Sequence, residues 1–139
     1  MNAKEYLSQA IWLDKIIQNK LEQKEKLKSI AQKATTDFSQ EKVSGSKIDK
    51  SAMESATVKI VDLQHEINSD IDRLIDLKTE ILQTIALVGD TSHQLILEMR
   101  YINGKGWEEV AYNMGFDVRT IFRIHGKAIK EIEKIKSCQ

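Results

Sequence analysis

From Met53 to Val88 an apolar residue falls at every third or fourth position without a miss: Met53, Ala56, Ile60, Leu63, Ile67, Ile71, Leu74, Leu77, Ile81, Ile85 and Val88. This rhythm draws one apolar line along one side of a helix and does not fit the two-residue alternation of a strand. A helix over 51–88 would be about 55 Å long. So narrow a stripe on so long a helix is coiled-coil-like and has to be covered by another helix. Residues 3 to about 35 are the nearest cover. There Tyr6, Ala10, Leu13, Ile17, Leu27, Ala31 and Ala34 keep a seven-residue rhythm, widened by Leu7, Ile16, Leu21 and Ile30. Lys20 and Lys24 interrupt the line and are expected at its edge, stems packed and heads in water. Trp12 lies off the stripe, as an edge anchor of a bundle or a contact between subunits.

The chain of 139 residues holds no proline, where average usage predicts about seven. Nothing therefore breaks either helix. Aromatic residues make up 6% of the chain, which argues against a strand-rich fold. Thr35-Thr36-Asp37 and Ser44-Gly45-Ser46 are turn chemistry, so a loop is expected over 36–50, with Phe38 and Val43 folding back on the helices. The expected fold is all-α: a long antiparallel helical hairpin over 1–89, serving as an assembly arm, followed by a small helix-turn-helix domain over 90–139. Apolar surface beyond what one partner helix covers points to a homodimer through the long helices.

Gly89-Asp90-Thr91-Ser92 ends the long helix and caps the next. A helix over 93–102 follows, with Leu95, Ile96, Met99 and Ile102 as its apolar face, and Asn103-Gly104-Lys105-Gly106 is a turn. Trp107 is expected to pack on the small core, with its indole edge free to touch backbone phosphate near the helix start. Val110, Ala111 and Met114 then share one face of a short helix. Gly115 supplies the tight turn, Asp117 caps the next helix, and Ile121, Ile124, Ala128, Ile129 and Ile132 give it a buried stripe. Arg119, Arg123, Lys127, Lys130 and Lys134 recur every three to four residues on the other side. A small–glycine–branched pattern with a basic outer face reads as a helix-turn-helix whose second helix, 117–132, enters a DNA major groove. The blander reading is a solvated helix between two others.

Charge is consistent with a local reader rather than a general DNA coat. Formal net charge is zero, but residues 117–139 hold six basic and three acidic residues, while 37–89 hold six basic and ten acidic ones. Asp62, Glu66, Asp70, Asp72, Asp76 and Glu80 are expected as a solvated acidic face, since no Glu-x-x-His pair accompanies them. His65, His93 and His125 lack metal-ligand spacing. No catalytic constellation and no phosphate-binding glycine loop is present. The expectation is a non-enzyme without metal or cofactor. The single cysteine, Cys138, permits no internal disulfide, and neither a signal peptide nor a membrane span is visible. Together these point to the cytoplasm.

Residues 95–132 resemble region 4 of bacterial sigma-70-type factors, the part that reads the −35 promoter element. Leu95, Met99, Arg100, Tyr101, Ile102, Gly104, Glu109, Val110, Ala111, Gly115, Ile121, Ile124, Lys127, Ala128 and Ile129 carry the resemblance. Nothing in the chain resembles the rest of a sigma factor. The whole chain is similar to small phage and prophage proteins of Firmicutes with a sigma-region-4-like C-terminus, through Met1-Asn2-Ala3-Lys4-Glu5-Tyr6-Leu7 and Ile71-Asp72-Arg73-Leu74-Ile75-Asp76-Leu77-Lys78. Some of these form a domain-of-unknown-function family, and related ones are ArpU/RinA-like late transcriptional regulators.

Matched without gaps, the resemblance puts Val118, Arg119 and Arg123 where that family touches bases, with Thr120, Phe122 and Lys127 at flanking positions. Phe122 stands in place of a usually basic residue and Arg119 in place of an often acidic one, so the base preference should differ from the −35 element. Phe122 is placed either to touch a thymine methyl or to pack on the arm. The function expected is a sequence-specific DNA-binding transcriptional regulator of phage or prophage type, acting on double-stranded DNA. The alternatives are an interaction module that docks on RNA polymerase or another partner, and a small terminase-like DNA-packaging subunit.

Overall fold

The computed structural model of the protein describes the backbone at residues 1–40 and 46–138 and the side chains at 1–33 and 51–138. The described residues are mostly helical, and no strand occurs among them. The helices are α1 (Ala3–Gln40), α2 (Ser46–Ile85), α3 (Thr91–Leu97), α4 (Trp107–Met114) and α5 (Val118–Ser137). Glu98–Ile102 continues α3 as a π-helical turn. Both long helices extend further than expected at 36–50, since neither Ser, Thr nor Lys stops a helix where no proline intervenes. The rest of that expected stretch, 41–45, lies outside the described residues, as do the side chains of Ala34 and Phe38 and all of Val43.

The chain divides into two compact units, residues 15–72 and residues 1–14 with 73–139. Within 15–72, Ile17, Ala56 and Ile67 are buried. Lys20 Nζ donates to Asp70 Oδ2 at 2.6 Å and Lys24 Nζ to the Gln64 side-chain oxygen. Partner numbers fall as helix numbers rise, so α1 and α2 run antiparallel here. These contacts correct two expectations. The heads of Lys20 and Lys24 meet polar partners across the seam rather than bulk water. Asp70 is buried opposite Lys20 while Ile71 is 39% exposed, one residue-step having swapped their places. Asp62, Glu66, Asp72, Asp76 and Glu80 are exposed. Ile16 and Ile30, expected to widen the α1 stripe, face outward, and Trp12 is 63% exposed.

The second unit has two cores. The larger gathers Ala3, Tyr6, Leu7 and Ala10 of α1, Ile81 and Ile85 of α2, Val88, Leu97, Tyr101, and Ala128 and Ile132 of α5. The smaller gathers Ile96, Val110, Ala111 and Ile121, with Met99, Trp107, Met114, Val118 and Ile124 at its margin. The first fourteen residues thus fold with the C-terminal helices, and the compact units do not divide at 89/90. Alanines 3, 10 and 128 allow the close approach that makes this possible. Tyr6 and Thr84 share a buried hydroxyl–hydroxyl hydrogen bond of 3.0 Å, and Asn2 and Glu5 cap α1 reciprocally. At α3, Leu97 and not Leu95 points inward, Leu95 being 39% exposed.

Candidate nucleic-acid interface

Three local devices set the ends of α3, α4 and α5. Asp90 caps α3, its Oδ1 accepting from the Ser92 hydroxyl at 2.6 Å and the Ser92 N–H at 2.8 Å, which hold its carboxyl below the usual range. Gly115 ends α4 with φ 73°, a left-handed conformation that disfavours any side chain. The Phe116 N–H reaches back to the Ala111 carbonyl at 3.0 Å and closes a Schellman motif. Asp117 then caps α5: Oδ1 accepts from the Thr120 N–H at 2.7 Å. The Thr120 hydroxyl, its N–H and then the charge of Arg123 keep the Asp117 carboxyl lowered.

The inner side of α5 is fully engaged. Ile121, His125, Ala128 and Ile132 are buried. His93, whose ring Nδ1 pairs with the Glu131 carboxylate, ties the start of α3 to the middle of α5, with Asp90 3.8 Å from the other ring nitrogen. The outer side carries Arg119, Arg123, Lys127, Lys130 and Lys134, all exposed. Among the described residues none of these five forms an ion pair within 4.0 Å. A row of exposed cations at helical spacing complements a polyanion.

Of the six candidate contact residues, Arg119, Phe122, Arg123 and Lys127 are exposed along this one face. Thr120 is half-buried, its N–H taken by the Asp117 cap. Val118 is half-buried and packs against the smaller core. Phe122 packs edge-on against Trp107, ring centroids 5.3 Å apart, and is still 50% exposed.

Sequence reasoning gave His125, Tyr101 and Arg100 no place at this site. His125 is buried under Trp107, centroids 4.6 Å apart, with Nε2 2.7 Å from the Tyr101 hydroxyl. Burial first, then the charges of Lys4 and Arg100, push its imidazole down to about 4. The ring is therefore neutral near pH 7 and shares a hydrogen bond with the Tyr101 hydroxyl, which burial pushes up to about 12. The clue in the sequence was spacing: 125 lies in step with 121, 128 and 132. Arg100 stacks over the Trp107 ring at 4.6 Å and donates to the Lys105 carbonyl at 3.0 Å. The π-helical turn contributes to this placement, and nothing in residue type announced it. No cluster of three or more metal-ligating side chains occurs among the described residues.

Residues 32–133 match the family model described as "Protein of unknown function (DUF1492)". No curated protein and no solved structure matches the chain.

Proposed function

The chain belongs to this family of unknown function, and we propose that the protein is a sequence-specific DNA-binding transcriptional regulator of phage or prophage type. In this reading α4, the Gly115 turn and α5 act as a helix-turn-helix of the sigma region 4 kind, with α5 in the major groove. The observation that carries it is the outer face of α5: five exposed cations that form no ion pair within 4.0 Å among the described residues, on a helix whose inner face is already buried. Lys127, Lys130 and Lys134 would meet phosphates, and Arg119 and Arg123 would reach base edges.

The test is selection of bound duplexes from a random pool at about 0.15 M salt, where non-specific attraction is damped. A single enriched motif is expected. Arg123→Ala should weaken binding to that motif by about 1–3 kcal/mol, the loss of a bidentate base contact. Unchanged affinity would remove Arg123 from the base contacts, and the absence of any enriched motif would overturn the reading. Exposed Val58 and Val61 on α2 support a homodimer through the long helices. A dimer predicts half-sites about 10 base pairs apart.

Tyr112, 86% exposed, and Phe116, 44% exposed, favour a second reading at the α4–α5 turn. Two open aromatics there suit docking on a protein such as RNA polymerase. Capture of polymerase without DNA affinity would favour it.

A further inference from the structure

The outer face of α5 contains a glycine that the fold does not use. Gly126 lies near the middle of the helix and is exposed. Its φ is not in the left-handed region, and a methyl built on it would meet nothing within 4 Å. Neither a turn nor a close internal approach accounts for it, although glycine inside a helix lowers stability relative to alanine. What surrounds it is specific. Phe122 is one turn before it on the same face and Lys130 one turn after, with Arg123 and Lys127 alongside. The Phe122 ring is propped edge-on by Trp107, and Trp107 is in turn covered by Arg100 at 4.6 Å. An aromatic ring is thus fixed in place, half-open, beside bare helix backbone and between cations.

We propose that Phe122 and Gly126 form an apolar notch for the 5-methyl group of one thymine, with the α5 backbone at Gly126 brought against the base edge. The inference rests on the DNA reading above. The thymine methyl is the apolar group that a major groove displays, and the missing side chain at 126 lets the helix sit one methyl deeper. The flanking cations take the phosphates on either side. Phe122 and Gly126 then specify a base, while the lysines position the helix.

The full-length protein tests this on the duplex it selects. Each thymine of that duplex is replaced in turn by deoxyuridine, which removes only the methyl, and binding is measured for the wild type, Phe122→Ala and Gly126→Ala. At one position the wild type should lose roughly threefold to fourfold, the burial of one methyl. Neither variant should respond there. Gly126→Ala should melt at a higher temperature than the wild type yet bind the thymine duplex at least about fivefold more weakly, as an added methyl overfills the contact. Stability and binding moving in opposite directions separates this from a folding defect. The notch is overturned if Gly126→Ala binds as the wild type does, if no thymine is methyl-sensitive, or if the sensitive thymine remains so in both variants. A wild type that selects no duplex at all overturns the DNA reading itself, whereas the other failures leave it standing.

Discussion

Acidification should destabilise this protein through one buried imidazole. His125 is 7% exposed, bonded to Tyr101 and roofed by Trp107, and its folded value lies at about 4. An unfolded histidine titrates near 6.5. Between these values the unfolded chain holds a proton that the folded chain refuses. Stability is then lost as pH falls through that window and falls no further on this account below about 4. From pH 7 to pH 5 the linkage integral gives a loss of about 2 kcal/mol from this group alone. Urea denaturation at the two pH values, on the wild type and His125→Gln, measures it. Both proteins share every carboxylate and the other two histidines, so the difference between their pH dependences isolates residue 125. The wild type should lose about 2 kcal/mol more than the variant. Equal losses would mean that His125 takes up its proton in the folded state, and that its burial under Trp107 does not exclude the charge.

Three further substitutions test the scaffold by chemical denaturation. Lys20→Met strands the buried Asp70 carboxylate and should cost about 1–3 kcal/mol, and adding Asp70→Leu should recover most of that. A double variant as unstable as the single would show that the pair itself, rather than the unpaired charge, carries the energy. Gly115→Ala forces a side chain into the left-handed region and should lower stability by about 1–2 kcal/mol. A neutral result would mean that the turn relaxes to another conformation.

The long helices were legible because their period persists over ten turns, so isolated exceptions do not hide it. The exceptions are informative. Placing Ile71 inside and Asp70 outside follows polarity. The structure reverses them because Lys20, on another helix, supplies the charge that lets Asp70 be buried, and no single-helix pattern contains that information. The caps at Asp90 and Asp117 and the left-handed Gly115 were readable because each depends on local chemistry alone. The outward placing of Arg119, Arg123 and Lys127 followed from the helical wheel, which left Phe122 open. The Arg100–Trp107–Phe122 stack did not, since it depends on how the π-helical turn, α4 and α5 meet. His125 was passed over as a polar residue although its register was apolar.

The two cores of the C-terminal unit also explain why its surfaces separate so cleanly. Along α5, Ile121 enters the smaller core while Ala128 and Ile132 enter the larger, where they meet Ala3, Leu7 and Ala10 of α1 and Ile81 and Ile85 of α2. A fragment beginning at residue 90 would keep the smaller core and lose most of the larger, leaving the second half of α5 with its apolar side in water. The start of the chain is therefore part of what holds α5, despite lying more than a hundred residues away. Both cores claim the same side of the helix, so Arg119, Arg123, Gly126 and Lys127 take no part in either, and Phe122 meets only the margin of the smaller one through Trp107. Changes there should leave the fold intact and so report on the proposed binding, whereas changes at Ile121, Ala128 or Ile132 act first through stability. That division makes the proposed function testable residue by residue.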